Sequence, residues 1–251
     1  MPVIYPLSEG TFTVGHDKEL TPFDLEKDEL QQRPQGSLLI EIQPFLVITS
    51  KDIIIFDTGL GVKEADGMPR IQKNVIACGV EPGAVTKVFH SHLHKDHSGG
   101  MTFSDDRGMV YPVFPNAEYF LYRPEVSYAL QKGQPSYDTQ AIEKGLSALS
   151  IHWLDGEEDL IDGYIRFVHS GGHCPEHVVF ILEDQGQTIF FGGDEAPQLK
   201  QVLVRYVAKY DYDGKKALAI REKYADLGRH GNWKFLFYHD VKNAVATLPL
   251  I

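Results

Sequence analysis

The stretch His90–Gly100 reads H-S-H-L-H-K-D-H-S-G-G, and the interpretation of the whole chain starts from it. The four residues before it, T-K-V-F at Thr86–Phe89, are β-branched or aromatic, as in a short buried strand. The small residues at its end allow the backbone to turn tightly away. Within six residues the stretch places four side chains of metal-binding type: His92, His94, Asp96 and His97.

The spacing of these four side chains favours two metal ions over one. Along an extended segment alternate side chains share a face, so His92 and His94 can project together from a strand end. A helix that begins near Asp96 would turn Asp96 and His97 in a new direction. A histidine-rich run can also bind metal incidentally. Three histidines and one aspartate between a strand and a glycine pair instead predict a built site, with ligands that zinc, manganese and iron accept.

Size and charge limit the class of protein. The 251 residues fit a single domain over residues 1–251, although length alone would permit two. The net charge is −11, from 24 Lys and Arg against 35 Asp and Glu. An acidic surface repels phosphate backbones and anionic lipids, although a local basic groove is compatible with an acidic total. The composition therefore predicts that neither nucleic acid nor a membrane is a partner.

The cysteines and the first residues bear on the compartment. Cys78 and Cys174 form neither a C-x-x-C pair nor a disulfide framework, as is typical of a reducing compartment. The opening M-P-V-I-Y-P-L-S-E-G lacks a basic region followed by an apolar run. No segment approaches the ~20 apolar residues of a membrane span. We therefore expect a cytoplasmic protein.

Residues 1–36 form an N-terminal extension to the motif-bearing part of the chain. It contains an acidic, polar run, Thr21–Gly36, which predicts a solvated helix or loop. The alternative is a lid or a homodimer contact in which Phe23, Leu25 and Leu30 are buried.

The remaining chain alternates between strand and helix patterns. Apolar runs separated by turn residues predict strands at Leu38–Ile42, Phe45–Thr49, Ile53–Phe56, Glu118–Tyr122, Ile165–His169, Val178–Leu182, Thr188–Phe191 and Phe235–Tyr238. Helical periodicity predicts helices at Arg70–Gly79, from Arg123 onward, at Asp138–Ser150 and at Gly214–Leu227. The interleaved order indicates an α/β or α+β protein in which helices cover a sheet.

Polar residues recur where the predicted strands end. Because α/β proteins assemble their sites at strand ends along one edge of a sheet, this pattern predicts one convergent site. The residues that follow an apolar run in this way are Asp57, His92, His94, His173, Asp194 and His239.

Five motifs, in order, resemble those of the metallo-β-lactamase superfamily, between about Ile53 and Val241. They are D-T-G at Asp57, H-S-H-L-H-K-D-H from His90, G-G-H-C-P-E-H around His173, F-G-G-D ending at Asp194 and F-Y-H-D at His239. The resemblance implies an αββα sandwich with two metal ions at one edge. It also implies roles for eight residues: a first metal on His92, His94 and His173, a second on Asp96, His97 and His239, a bridge at Asp194, and a carboxylate at Asp57 that orients a ligand histidine.

The implied function is hydrolysis by two divalent metal ions, with zinc expected first and manganese or iron as alternatives. A hydroxide that bridges the metals would attack a small ester, lactone or organophosphate. Asp96 or Asp194 would pass a proton to the leaving group. Two other functions stay open: a di-iron redox or oxygen-handling enzyme, and a non-catalytic binding protein that metal stabilises.

Within the superfamily, the run from Arg70 to Gly100 and the F-Y-H-D ending resemble the lactonase and methyl-parathion-hydrolase-like branch. Only twelve residues follow His239, which disfavours the helical substrate domain of glyoxalase II-like thioesterases. The quorum-quenching lactonases place a tyrosine three residues after the bridging aspartate, where this chain has Pro197. If a tyrosine serves that role here, Tyr206 or Tyr210 would have to reach the site.

Several polar residues beside the motifs allow two interpretations. Cys174 either lines the pocket or is a small packed residue. Glu195 either faces the pocket or caps the next turn, and His177 either supports a ligand or packs. The histidines without companions are expected to be structural or exposed: His16, His152, His169 and His230.

Overall fold

The computed structural model describes residues 1–15 and 17–249, so the expectation for His16 lies outside the described residues. The strands are β1 (Val3–Pro6), β2 (Gly10–Val14), β3 (Leu20–Pro22), β4 (Leu38–Ile42), β5 (Phe45–Ile48), β6 (Ile53–Phe56), β7 (Lys87–Phe89), β8 (Thr102–Ser104), β9 (Val110–Pro112), β10 (Glu118–Tyr122), β11 (Ser150–Leu154), β12 (Glu158–Ile161), β13 (Ile165–His169), β14 (Val178–Asp184), β15 (Gln187–Phe191), β16 (Lys234–Leu236) and β17 (Val245–Thr247). The α-helices are α1 (Arg70–Ala77), α2 (Lys95–Ser98), α3 (Arg123–Lys132), α4 (Thr139–Ala148), α5 (Leu199–Leu203) and α6 (Gly214–Gly231).

The first large sheet has the strand order β1-β5-β6-β7-β10-β11. Within this sheet β6, β7, β10 and β11 run parallel to one another. β5 pairs antiparallel with β6, and β1 pairs antiparallel with β5 at the edge of the sheet. Phe56 at the end of β6 pairs with Phe89 at the end of β7. The loops that begin at Asp57 and His90 therefore leave the same edge of this sheet.

The second large sheet has the order β12-β13-β14-β15-β16-β17 and is antiparallel except at β15 and β16. That parallel pair aligns Phe191 with Leu236, so the segments leading to Asp194 and His239 leave one edge together. In the antiparallel part, Phe180 near the start of β14 also pairs with Phe191. The turn between β13 and β14 therefore lies at that same edge.

Aromatic side chains fill the space between the two sheets. Phe56 of the first sheet lies 5.0 Å from Phe191 of the second, measured between ring centroids. Phe89 lies 5.0 Å from Phe180 across the same interface. Because side chains alternate along a strand, Ile55 points to the opposite face, where it packs in the cluster that contains Val75 of α1.

Helices cover both outer faces of this pair of sheets. α1 lies on the first sheet, and α6 lies on the second, where Tyr224 stacks on Phe190 with ring centroids 4.6 Å apart. α3 and α4 pack against β10 and β11 in a further cluster around Leu121. The layers are helix, sheet, sheet and helix, which is the αββα sandwich that the motifs predict.

Most of the predicted elements lie where the sequence pattern places them. β4, β6, β10 and β13 have the predicted bounds, whereas α6 continues to Gly231 and β16 already ends at Leu236. In the run Thr21–Gly36, Phe23 is buried, but Leu25 and Leu30 are each 54% exposed. None of the helices in residues 1–15 and 17–249 is both long and apolar enough to cross a bilayer.

Candidate metal centre

The histidine-rich stretch forms a buried loop and one turn of helix at the end of β7. His92 and His94 lie in the loop, and α2 begins at Lys95, one residue before the expected position. The amides of His97 and Ser98 donate to the His94 carbonyl at 2.9 and 3.0 Å. This turn places Asp96 and His97 one helical step apart, and the His97 ring lies beside that of His92, with ring centroids 4.2 Å apart.

A first group of ligand atoms comes from His92, His94, His173 and Asp194, and these atoms all lie within 4.8 Å of one another. His94 Nδ1 is 2.9 Å from His92 Nε2 and 3.1 Å from His173 Nε2. His173 Nε2 is in turn 3.2 Å from Asp194 Oδ2. Three imidazole nitrogens and one carboxylate oxygen thus converge on one point, which we call the first metal position.

A second group, here the second metal position, comes from Asp96, His97 and His239, whose ligand atoms also lie within 4.8 Å of one another. The Nε2 atoms of His97 and His239 are 3.3 Å apart. Asp96 Oδ2 lies 3.9 Å from His97 Nε2 and 3.6 Å from His239 Nε2. The loop after β7 and the loop after β16 therefore meet here.

Asp194 connects the two groups through its two oxygens. Oδ2 faces His173, whereas Oδ1 lies 3.3 Å from His97 Nε2 and 3.1 Å from His239 Nε2. Oδ1 is buried and forms no hydrogen bond with any described residue. A buried carboxylate oxygen that faces two imidazole nitrogens without forming a hydrogen bond is costly, and a cation would compensate it. The donor set and this oxygen fit a pair of divalent cations with Asp194 between them.

Asp57 contacts His97 directly, and His92 through Ser91, at the Nδ1 atom of each ring. Its Oδ2 accepts from His97 Nδ1 at 2.7 Å, and its two oxygens accept from the Ser91 amide and hydroxyl, each at 2.8 Å. Ser91 Oγ also lies 3.0 Å from His92 Nδ1. With Nδ1 engaged in this way, Nε2 of each ring is directed at the metal positions, as an orienting carboxylate would require.

Two further contacts reach ligand histidines from outside the five motifs, and sequence reasoning missed both. His173 Nδ1 lies 3.1 Å from Asp211 Oδ1, and His239 Nδ1 donates to the Glu41 carbonyl at 2.7 Å. Asp211 belongs to none of the five motifs, and a backbone carbonyl leaves no signature in the sequence.

The charges of the site suit cation binding. Burial lowers the pKa of His92 and His94 well below the ordinary value, so both rings are neutral, which is the form that binds metal. Burial would raise the pKa of Asp194, but the neighbouring imidazoles, His239 foremost, hold it well below its usual range. This residue is therefore an anion at neutral pH.

His97 shows the reverse balance. Burial would lower its pKa, but the carboxylates of Asp194, Asp96 and Asp57 raise the pKa well above the ordinary value. A proton on His97 thus balances the negative charge that three carboxylates gather around it. A divalent cation at the second metal position would displace that proton.

Polar residues next to the ligands form hydrogen bonds with the backbone of the loops that carry His173 and Asp194. Glu195 neither faces the pocket nor caps the next turn: its Oε1 accepts from the amides of Gly172 and His173 at 2.6 and 3.0 Å. His177 Nε2 accepts from the Asp194 amide at 3.2 Å. Cys174 is a packed residue, with its Sγ 3.7 Å from a carboxylate oxygen of Glu125.

Of the tyrosines considered as replacements at Pro197, one lies beside the site. The Tyr210 ring is 6.1 Å from the His173 ring, and its hydroxyl accepts from Gln201 Nε2 at 2.9 Å. The backbone carbonyl of Tyr206 accepts a hydrogen bond from Arg221 at 2.7 Å. Of these two tyrosines, Tyr210 is therefore the one whose ring lies beside a ligand histidine. Two other tyrosine rings lie nearer to ligand histidines, Tyr137 at 4.8 Å from His94 and Tyr238 at 4.0 Å from His97, between ring centroids.

Comparison with known families agrees with this geometry. Residues 42–229 match the family model described as the metallo-beta-lactamase superfamily. The chain belongs to this superfamily. The chain is similar to an atrochrysone carboxyl ACP thioesterase of Passalora fulva, with 27% identity over 178 residues, which are 70% of this chain and 44% of that protein. It spans less than half the length of the first curated relatives that it matches.

Solved structures share the fold over nearly the whole chain. A probable metal-dependent hydrolase from Staphylococcus aureus superposes with a TM-score of 0.77 at 20% identity, covering 99% of this chain and 92% of that one. AidC, a dizinc quorum-quenching lactonase in complex with a homoserine product, gives 0.71 at 17% identity, covering 100% and 91%. At identities of 17% and 20%, these two likenesses show a shared fold.

Proposed function

We propose that this chain is a dinuclear metal-dependent hydrolase that acts on a small ester or lactone, with organophosphates and thioesters as related substrates. The observation that carries the proposal is the position of Asp194, whose two oxygens face the two groups of ligand atoms from opposite sides. A carboxylate in that position serves a pair of cations better than a single one. We expect zinc first, with manganese or iron as alternatives.

Seven side chains would hold the two cations. Two divalent cations so held polarise a carbonyl or phosphoryl oxygen and lower the pKa of water towards ~7. The seven proposed ligands are His92, His94 and His173 at the first metal position, Asp96, His97 and His239 at the second, and Asp194 at both.

Of the two aspartates expected to move protons, Asp96 is the better placed. Both oxygens of Asp194 face ligand histidines at 3.1 to 3.3 Å, which leaves neither free for a substrate. The Asp96 side chain is 18% exposed, against 10% for Asp194, and its nearest imidazole is 3.6 Å away. We propose that Asp96 accepts a proton from the attacking water and passes it to the leaving group.

The substrate classes follow from chemistry that such a site can support and from the named relatives. A dizinc lactonase and an acyl carrier protein thioesterase both cleave an acyl–heteroatom bond, and both are similar to this chain. A phosphotriester offers a phosphoryl oxygen that the same cations could polarise. These classes define the substrates for an assay, and the net charge of −11 argues against polyanionic ones.

The test is reconstitution followed by a substrate panel. Chelated protein is loaded with zinc, manganese or iron, bound metal is counted, and hydrolysis of lactones, esters, thioesters and phosphotriesters is measured. We expect two metals per chain, turnover of at least one class, and a loss of at least about 100-fold in Asp194→Ala. Asp226→Ala, at an exposed position of α6, is the matched control.

Four outcomes would contradict the proposal. Two of them are no bound metal after reconstitution and an unchanged rate in Asp194→Ala. Selective iron binding with oxygen consumption would indicate the redox alternative instead. Tight metal retention without turnover across the whole panel would indicate a protein that uses metal only for its structure.

A further inference from the structure

We propose that Asp211 is a positioning residue that fixes His173 for the first metal position and, through Arg221, ties this ligand to α6. The inference rests on the proposed metal centre and adds a residue outside the five motifs. Asp211 lies in the segment between α5 and α6, and its side chain is fully buried. None of the roles assigned above to the motif residues involves it.

The hydrogen bond between Asp211 and His173 sets the tautomer of the ring. A carboxylate only accepts, so His173 must donate from Nδ1 to Asp211 Oδ1 across the 3.1 Å between them. The Nε2 lone pair is then free, and Nε2 lies 3.1 Å from His94 Nδ1 and 3.2 Å from Asp194 Oδ2. This is the tautomer that a cation at the first metal position needs.

The backbone around Asp211 holds the same loop in register. The Tyr212 amide donates to the His173 carbonyl at 2.9 Å, and the Asp213 amide donates to the Gly172 carbonyl at 2.8 Å. The two segments are thus connected by two backbone bonds in addition to the side-chain bond. Asp211 therefore meets His173 from a fixed position.

Arg221 extends the contact into α6. Its side chain is 2% exposed, and its Nη1 lies 3.8 Å from Asp211 Oδ2. It donates to the carbonyls of Glu195 and Tyr206 at 2.9 and 2.7 Å. One buried guanidinium thus holds the residue after Asp194 and the segment that leads to Asp211.

The geometry favours a role towards His173 over a purely structural ion pair. The 3.8 Å between Asp211 and Arg221 is beyond hydrogen-bond distance, and no described residue donates to Asp211 Oδ2. Burying a carboxylate that makes so few bonds costs stability. The one good hydrogen bond of this side chain is to a proposed metal ligand, so that bond explains its presence.

The experiment compares Asp211→Asn with Asp213→Asn. Asparagine can donate to His173 Nδ1 and so permits the wrong tautomer, which should weaken metal binding at the first position about 10- to 100-fold while one metal per chain stays tightly bound. Asp213 makes the same charge change two residues away, where asparagine also caps α6. Affinities are measured by competition with a chromophoric chelator, and the Co²⁺ spectrum reports each position.

Asp211→Asn leaves Arg221 without its counter-charge and can prevent folding. A second measurement therefore uses the wild-type protein. Long-range ¹H–¹⁵N correlation of chelated, metal-free wild-type protein, at a pH where the ring is neutral, should show the His173 proton on Nδ1. A proton on Nε2, or wild-type affinity at both positions in folded Asp211→Asn, would overturn the inference. Wild-type protein that binds no metal would instead contradict the metal centre itself.

Discussion

At Asp57 the backbone has φ +54°, in the left-handed region that non-glycine residues rarely adopt. Aspartate tolerates this conformation better than most residues, at a cost of order 1–3 kcal/mol. The turn aims the carboxylate back at Ser91 and His97, to which it is bonded at 2.7 to 2.8 Å. A strained backbone that serves one side chain indicates a positioning function.

Replacing Asp57 by asparagine should weaken the second metal position more than the first. Its direct partner is His97, whereas it reaches His92 only through Ser91. We expect a loss of about 10- to 100-fold in affinity for the more weakly held metal, measured by chelator competition. Asp226→Asn, exposed on α6, is the control, and equal affinities in Asp57→Asn and wild type would contradict this role.

Tyr210 offers a test of substrate contact rather than metal contact. Tyr210→Phe keeps the ring beside His173 and removes the hydroxyl. If that hydroxyl donates to the substrate's oxygen, kcat/KM falls about tenfold while the metal content stays at the wild-type value. Tyr206→Phe is the matched control, and full activity in Tyr210→Phe would assign the ring to packing alone.

At the scale of elements, the glycine pair after α2 allows this helix to pack closely against the loop after β6. A Cβ on Gly100 would lie 2.1 Å from the Thr58 carbonyl oxygen, and one on Gly99 would lie 2.5 Å from that of Leu60. The D-T-G loop and α2 thus touch backbone to backbone, and the Thr58 amide donates to the His97 carbonyl at 2.7 Å. This contact fixes α2, and with it His97, against the end of β6.

The elements also show where sequence patterns suffice. Strands inside the sandwich, such as β6 and β10, were predicted to the residue because their short runs of β-branched or aromatic residues are bounded by turn-forming residues. Short edge strands were missed: E-D-L-I of β12 has three exposed residues of four and no clear alternation. Pairing with β13 stabilises it, and such tertiary pairing is invisible in a local pattern.

The same division holds for the site. Residues such as Asp57 and Asp194 could be foreseen because parallel strands deliver their following loops to one edge. Asp211 could not, because it follows no strand and meets His173 only through the fold. The role of Glu195 was missed for a similar reason: its carboxylate turns back onto the backbone of a loop 22 residues away.

α3 carries Glu125, a buried carboxyl that makes stability depend on pH. Burial raises its pKa from 4.5 to about 7, and its Oε1 accepts from the Leu93 amide at 2.9 Å. Because the folded pKa exceeds the unfolded one, the folded state binds more protons between these values. The stabilising contribution is complete below pH 4.5 and is lost as pH rises through about 7.

Glu125→Gln should therefore be more stable than wild type at pH 8, by roughly 3 kcal/mol, and lose this advantage near pH 5. Glutamine still accepts from the Leu93 amide but does not ionise. Denaturant unfolding at both pH values measures the difference, with Glu143→Gln on the exposed face of α4 as control. A difference that is the same at both pH values would show that ionisation of Glu125 is not its source.

In the whole molecule, the proposed ligands are divided between the two sheets. The first sheet supplies the loop after β7, with His92 and His97, and the second supplies the loops that carry His173, Asp194 and His239. Aromatic side chains pack between the two sheets in the centre of the sandwich, and the proposed ligands of both sheets lie together at one edge. A cation pair bound there would cross-link the halves of the sandwich.

Metal removal should therefore destabilise the entire fold rather than loosen one loop. Metal at a thousandfold excess over its dissociation constant contributes about 4 kcal/mol, because the unfolded chain cannot gather ligands from both sheets. For a chain of this size that corresponds to a fall in Tm of roughly 8–16 °C on chelation. Differential scanning calorimetry of zinc-loaded and chelated protein measures this fall in Tm, and added zinc should restore the original Tm.

The variant His239→Ala removes a ligand that the second sheet supplies, so its zinc-dependent shift in Tm should be smaller. His230→Ala, exposed on α6, should keep the full shift. An equal shift in His239→Ala would mean that zinc stabilises the fold without joining the sheets at the second metal position.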